Sequence, residues 1–302
     1  MWIVQNKKIF YCISAILIGS SIAALLVWGL KFGIDFTGGS LLEISYPAGR
    51  PEVSAIQAKL AELKVSDFSV RPTDEDGIII RTHFLSEEER KGLMDSLSGN
   101  GTTQITEKRF DSIGPTLSSE LVNKAFLSIG LVILAIVLFI TFAFRKVSES
   151  VSSWKYGIVT VVALLHDVII PTGVFAVLGQ FANYEVDTLF VTALLVILGF
   201  SVHDTIVVFD RVRENLRKEH EQKKPAPFDE IVGRSIRQTF NRSINTSLTT
   251  LLAIVALFAL GPEAVRHFAL VLLIGITAGT YSSIFIASPL LVTIERWSVK
   301  RT

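Results

Sequence analysis

Six apolar stretches, each long enough to cross a bilayer, constrain this chain more than any other feature: Ile9–Leu30, Ala125–Phe144, Tyr156–Leu178, Leu189–Phe209, Ser243–Leu260 and Phe268–Ile294. A hydrocarbon core needs about 20 apolar residues of helix to span it. An open strand edge finds no partner in lipid, so all six are predicted to be helices. The fifth is short and polar at its start, and the last is long enough to tilt or to end early, at Pro289. The first follows Lys7 and Lys8, as a secretory leader would. It is too long for the leader's apolar region of about 7–15 residues, and no small-residue cleavage site closes it, so it is expected to remain as a span.

Composition agrees. Only 19% of residues are charged, against about 25% in a soluble domain, and the net charge is +1. A chain with a net charge this close to zero is not expected to bind nucleic acid. A single cysteine excludes a disulfide framework and a Cys-based zinc site. Cys12, inside an apolar run, reads as a small buried hydrophobe.

Short-loop Lys and Arg residues set orientation. Lys7 and Lys8 precede the first span; Arg145, Lys146 and Lys155 follow the second; nine basic residues lie between Asp210 and Arg242; Arg296, Lys300 and Arg301 end the chain. The intervening loops carry almost none. Both termini are therefore expected to be cytoplasmic, and residues 31–124 to lie outside. The expected organisation is 1–30 (N-terminus and first span), 31–124 (outer domain) and 125–302 (five spans with a basic cytoplasmic loop at 210–242).

The outer segment has 11 basic and 15 acidic residues, a net of −4. Leu41, Ile44 and Tyr46 read as a strand. Pro51 opens a helix through Lys64, with Val53, Ile56, Leu60 and Leu63 at helical spacing. Phe68–Arg71 and Ile78–Phe84 read as a hairpin around Thr73-Asp74-Glu75-Asp76-Gly77. Ser86 and Glu89 form a capping box for a second helix, and Thr103–Phe110 is a last strand. Strand, helix, strand, strand, helix, strand is the ferredoxin-like plan. The predicted fold class is thus a six-helix polytopic membrane protein with a small α+β domain. No nucleophile–base pair or His/Cys cluster marks the outer segment, so a binding or lever module is expected rather than an enzyme. No metal and no cofactor is expected.

Two Gly-rich joints flank this domain. Phe32-Gly33-Ile34-Asp35-Phe36-Thr37-Gly38-Gly39-Ser40 lacks the Lys-Ser/Thr ending of a phosphate loop. It reads either as a tight turn or as a hinge, with Gly38 and Gly39 the pivots. Gly114-Pro115 suits a helix start and is the second hinge candidate.

Ionisable residues inside the spans carry the functional signal, because each costs roughly 2.5–3.5 kcal/mol at mid-bilayer. Span three holds His166 and Asp167; span four holds His203 and Asp204. Asp204 reads as a titrating group or as one half of a static pair. Asp167 reads as functional or as a neutral acid bonded to hydroxyls. The two histidines point about 100° away from the aspartates on a helical wheel and read as packing residues or as supports for a neighbouring functional group. In span five, Arg242, Thr246, Thr249 and Thr250 form one stripe. Arg242 either meets Asp204 at similar depth or snorkels to the headgroups. The segment before it reads as a solvated charged stretch from Arg211 to Lys224, broken by Pro225 and Pro227. An amphipathic helix on the inner leaflet follows, with Phe228, Val232, Ile236 and Phe240 facing lipid.

Several of these runs resemble the SecF family, the smaller membrane subunit of the SecD–SecF protein-export complex. They are Phe32–Gly39, Gly114-Pro115, Leu165-His166-Asp167-Val168, Ser201 to Asn215, and Asn241-Arg242-Ser243 leading into Thr246–Thr250. The match covers essentially the whole chain. The resemblance implies half of a transporter of the RND superfamily in the bacterial cytoplasmic membrane, paired with SecD. It implies association with the SecY, SecE and SecG channel and with YajC, and action on unfolded exported polypeptides. It also implies use of the proton motive force, with Asp204 and Arg242 lining the proton path. Two other readings stand beside it: an exporter of small solutes or lipids, and a passive scaffold that binds nascent exported chains.

Overall fold

The computed structural model describes the chain except for residues 1, 64, 74–75, 145–151, 222–225 and 300–302. The expected residues Lys64, Asp74, Glu75, Arg145, Lys146, Lys223, Lys224, Pro225, Lys300 and Arg301 therefore lie outside the described residues. In chain order the elements are α1 Trp2–Gln5, α2 Lys7–Trp28, α3 Ile34–Thr37, β1 Gly39–Ser45, α4 Val53–Glu62, β2 Ser69–Thr73, β3 Gly77–Thr82 and α5 Glu87–Leu97. There follow β4 Thr106–Ile113, α6 Pro115–Ala143, α7 Ser153–Ala182, α8 Thr188–Glu221, α9 Phe228–Leu260, α10 Glu263–Ser282, a π turn Ser283–Ala287 and α11 Ser288–Val299. Two compact units result: one holds the residues up to Lys31 and those from Leu127 onward, the other Phe32–Phe126.

Among the described residues six helices are long and apolar enough to cross a membrane: α2, α6, α7, α8, α9, and one running Val265–Trp297 through α10, the π turn and α11. That last helix is the interior post, with 67% of its apolar window buried; α6 is a wall, with 6%. In lipid no hydrophobic force draws helices together, so close packing at small residues does the work. A Cβ on Gly173 of α7 would lie 2.2 Å from Ser21 Cβ of α2. One on Gly275 of α10 would lie 2.1 Å from Ile197 Cδ1 of α8. One on Gly279 would meet Ser201 Cβ at 3.1 Å. These glycines set the α2–α7 and α8–α10 separations. Tyr156, fully buried, stacks on Phe144 with centroids 4.9 Å apart and meets Phe209 edge-on at 5.1 Å.

Four expectations are corrected here. The charged stretch after span four is not loose: α8 continues to Glu221, supported by i,i+3 and i,i+4 pairs of Glu214 with Arg211 and Lys218, and of Arg217 with Glu221. The Phe228 segment is not a separate surface helix but the first third of α9. Val232 and Ile236 are buried in a cluster with Val208 and Val212 of α8, Val4, Ile284 and Val292. Asn215 Nδ2 donates to Ser235 Oγ and to Gln238 Oε1, each at 2.8 Å. The apolar stripe had a protein partner that the four-residue spacing does not reveal. Finally, the last span does not end at Pro289. The π turn just before it accommodates the missing amide, and Ser288 Oγ donates to Ser283 O at 2.9 Å. Cys12 is exposed on α2, not buried.

The second unit has the strand order β2-β3-β1-β4, antiparallel throughout, which is the ferredoxin-like arrangement. Leu42, Ile44, Ile78 and Ile80 project from one face of the sheet and pack against Ile56 and Leu60 of α4 and Leu93 and Leu97 of α5. Strand alternation and helical spacing thus converge on one core. The capping box is present: Glu89 N donates to Ser86 Oγ, and Ser86 N donates to Glu89 Oε2 at 2.8 Å. β4 starts three residues later than expected, because Thr103 N is used to cap α5 through Ser98 O at 2.8 Å.

Candidate functional site: two buried carboxylates and a π turn

Asp167 of α7 is fully buried. Its Oδ2 accepts from Ser201 Oγ of α8 and, at 2.8 Å, from Ser282 Oγ of α10. Its Oδ1 lies 2.8 Å from His166 Nδ1, and His166 Nε2 lies 3.1 Å from Ser14 Oγ of α2. Four helices therefore contribute to one closed network. Two hydroxyls and an imidazole nitrogen surround the carboxylate, and the other ring nitrogen faces Ser14. Gly279 permits the approach, since a Cβ there would sit 3.5 Å from Asp167 Oδ2.

Asp204 of α8 is 4% exposed, and its Oδ2 accepts from Ser283 Oγ at 2.6 Å. Ser283 is the first residue of the π turn. A π turn inside a helix points successive side chains in directions that an α-helix does not, and such turns are frequent at functional sites. Ser282, the last residue of α10, and Ser283, the first of the π turn, address different carboxylates on different helices. One turn earlier, Thr280 Oγ1 donates to Ser247 Oγ of α9 at 2.6 Å. The buried hydroxyls of Thr205 and Ser243 have no hydrogen-bond partner among the described residues.

The rest of the expected set lies elsewhere. Arg242, Thr246 and Thr249 are exposed and Thr250 is partly so, on a face of α9 that adjoins the one carrying the buried Ser243 and Ser247. Thr246 Oγ1 donates to Arg242 O at 2.9 Å, and Thr249 and Thr250 donate to Thr246 O at 2.9 and 3.0 Å. The structure does not bring Arg242 to Asp204, and Arg242 forms no ion pair among the described residues. His203 is exposed on α8. His166, expected either to pack or to support a neighbouring functional group, is bonded to Asp167. Ser14, Ser282 and Ser283 were not singled out at all. A serine pair in an apolar span shortly before a proline was the signal available.

At the Gly-rich joint, α3 is a single helical turn closed by Thr37 Oγ1 on Gly33 O at 3.0 Å. Gly38 has φ +73° and Gly39 φ +115°, and a Cβ on Gly39 would lie 2.5 Å from Thr82 O. Backbone geometry alone demands both glycines. Gly114 precedes Pro115, the first residue of α6, the usual place for proline in a helix.

Comparison with known proteins agrees with this architecture. Residues 93–297 match the family described as protein export membrane protein SecD/SecF, C-terminal, and residues 23–46 match the SecD/SecF GG motif. The chain is 40% identical over 303 residues to protein translocase subunit SecF of Thermobaculum terrenum, covering 97% of this chain and 93% of that one. It is 37% identical over 267 residues to protein translocase subunit SecDF of Brucella abortus, covering 87% of this chain and 33% of that one. The crystal structure of SecDF, a translocon-associated membrane protein from Thermus thermophilus, superposes with a TM-score of 0.81 at 30% identity. That likeness covers 97% of this chain and 38% of the longer one.

Proposed function

The chain belongs to the SecF family of protein translocase subunits, whose role is in protein export, and from that premise we propose that it works with a SecD-like chain to draw on the proton motive force. Its part is to promote late translocation or release of unfolded polypeptides delivered through a SecY, SecE and SecG channel, with YajC in the same assembly. It is a transport auxiliary rather than a catalyst of covalent chemistry. The membrane is the bacterial cytoplasmic membrane, with both termini cytoplasmic and residues 31–124 outside, as the basic residues of the short loops favour.

One observation carries the proton-coupled reading: two aspartates are buried inside spans, each bonded by one of two adjacent serines at the junction of α10 with a π turn. Each carboxylate costs roughly 2.5–3.5 kcal/mol in mid-membrane, and packing alone does not call for it. A proton moving through 100 mV supplies about 2.3 kcal/mol, comparable to that cost. Asp204 is the proton carrier, with Asp167 on the same path. The stripe of Arg242, Thr246, Thr249 and Thr250 lies on an exposed face of a span and belongs against the partner chain, where Arg242 lines the path from the other side. The glycine joints at Gly38-Gly39 and Gly114-Pro115 are the pivots through which the outer domain responds.

The test is Asp204→Asn in vesicles reconstituted with channel, motor and partner chain under an imposed pH gradient. Asn preserves the acceptor for Ser283 and cannot titrate. Assembly is expected to persist while the gradient-dependent part of secretion disappears. Secretion stimulated as fully as in wild type would remove Asp204 from the mechanism.

A further inference from the structure

We propose that the His166–Asp167 couple is a second proton-holding site and that Ser282 and Ser283 tie its occupancy to that of Asp204. This rests on the proton-coupled reading above.

The geometry around His166 is that of a group able to take a proton without breaking its surroundings. The ring is buried, 2% exposed, between Asp167 Oδ1 on one nitrogen and Ser14 Oγ on the other. A neutral imidazole beside an ionised Asp167 leaves a net charge of −1 in the bundle interior. Adding a proton to the free ring nitrogen makes an imidazolium–carboxylate pair of net charge zero. Both states keep the two ring nitrogens hydrogen-bonded, and they differ in the net charge that the bundle interior encloses. On uptake both ring nitrogens donate: Nδ1–H to Asp167, and Nε2–H to Ser14 Oγ, which turns from donor to acceptor. Release returns the same proton from the same nitrogen. No bond other than N–H forms or breaks.

The groups facing this couple come from every helix packed on it. From α2 there is Ser14; from α8, Ser201. From α10 come Ser282 and the ring of Tyr281, stacked on His166 with centroids 6.0 Å apart and with its own hydroxyl bonded to Phe10 O. Among the described residues no Lys, Arg or Glu pairs with either member. The charge balance of the couple is therefore set by the proton itself and by the other buried acid, Asp204.

The link to Asp204 is the π turn. Ser282 donates to Asp167 and Ser283 to Asp204, and the two serines are adjacent in the chain. Protonating Asp204 removes the ionised acceptor of Ser283. That changes the preferred position of the turn and with it the hydrogen bond from Ser282 to Asp167. Coupling of this kind is reciprocal: occupancy of either site changes the affinity of the other by the same factor.

The measurement is the ¹⁵N-histidine spectrum of the full chain with its partner in vesicles, from about pH 5 to about pH 9, the range in which an imidazole titrates. The chain has five histidines, so His83, His203, His220 and His267 are replaced by Gln to leave His166 alone. Its ring is expected to titrate, and Asp204→Asn is expected to move the midpoint by about one pH unit. A ring that stays neutral throughout, or a midpoint indifferent to Asp204→Asn, overturns the proposal. In secretion assays His166→Asn is expected to shift or abolish the pH dependence of the gradient-driven part; a profile superimposable on wild type overturns it as well. If His166→Asn fails to assemble, the single-histidine spectrum decides. If Asp204→Asn abolishes gradient-driven secretion while His166 is silent, this inference alone fails. Full stimulation with Asp204→Asn sinks the proton-coupled reading and this inference with it.

Discussion

Ser283 Oγ donates to Asp204 Oδ2 at 2.6 Å, from a π turn into a carboxylate inside a membrane span. Among the described residues no other donor bonds this carboxylate, and a hydrogen bond to a charged group contributes about 1.5–3 kcal/mol. The π turn exists where Pro289 makes the regular ladder unavailable, so the irregularity that aims Ser283 has a local cause in the sequence.

Ser283→Ala removes that donor and leaves Asp204 itself intact. The gradient-dependent part of secretion is expected to fall by roughly tenfold or more, as the loss of one charge-assisted hydrogen bond implies, with the ATP-driven part unchanged. Threonine at 283 restores a hydroxyl and should restore part of the loss. The check is secretion into vesicles with and without an imposed pH gradient; equal stimulation by the alanine form would show that the bond is incidental.

Packing makes a separate prediction. Gly275→Ala places a Cβ 2.1 Å from Ile197 Cδ1, and overpacking costs about 1–3 kcal/mol. The variant should lower the melting temperature of the detergent-solubilised complex. Ile197→Ala alone should lower it too, by opening a void. The double variant should recover part of the sum, because the two residues touch and their effects do not add. Additivity would mean that α8 and α10 are not held apart by this contact.

In the outer domain, Glu89 accepts hydrogen bonds from the backbone N–H and the hydroxyl of Ser86, which hold its carboxyl below the usual glutamate range. A depressed folded pKa contributes stability that is present above the unfolded value of 4.5 and is lost as pH falls through the folded pKa. Glu89→Gln should therefore flatten the acid limb of the outer domain's thermal stability below about pH 4.5, where wild type weakens. Ser86→Ala is expected to cost about 1 kcal/mol at neutral pH, the usual loss on removing an N-cap. Thermal scans of the full chain by near-ultraviolet circular dichroism check both.

Much of this was legible in the sequence, for identifiable reasons. Hydropathy alone marks the spans, because lipid forbids any other burial of so many apolar residues. Period-two and period-3.6 patterns give the outer domain its element order, and Ser86 with Glu89 marks a helix start. Asp167 and Asp204 stand out because charge in lipid needs a cause. What stayed hidden depends on contacts between distant parts of the chain. His166 faces away from Asp167 on a helical wheel, yet a side chain bends on its own torsions, and Ser14, 152 residues earlier, fixes the ring. Ser282 and Ser283 look like ordinary span hydroxyls until α7 and α8 bring acids to them. Phe228, Val232 and Ile236 have the spacing of a lipid-facing stripe, and only the extension of α8 shows that protein covers much of it.

The orientation is open to a simple test. A phosphatase reporter fused after Asp76 is expected to be active and one after Lys223 inactive, with the opposite result for a cytoplasmic fluorescent reporter. Reversal at both positions would place the nine basic residues between Asp210 and Arg242 outside, against the charge bias that sets the orientation.

The last prediction concerns the face of α9 that this chain leaves open. Thr246 and Thr249 satisfy their hydroxyls on their own helix, so lipid would tolerate them. Arg242 is different. Its guanidinium has no ion pair among the described residues, and five N–H donors turned to hydrocarbon are costly. Either the side chain reaches the headgroups or a partner chain covers it. Cysteine substitution separates the two. In a background with Cys12→Ser, which removes the one native thiol, cysteines are placed at 242, 246 and 249. If a SecD-like chain covers the stripe, cysteines introduced along the facing helices of that chain should form disulfides with all three positions on mild oxidation. The pairing partners should advance by three or four residues from 242 to 246 to 249, as two packed helices require. Control cysteines at Phe126 and Leu131, on the exposed side of α6, give a baseline for random collision. Cross-linking at 246 and 249 no better than this baseline would mean that the stripe faces lipid and that Arg242 snorkels. The partner-lined path would then lose its second wall.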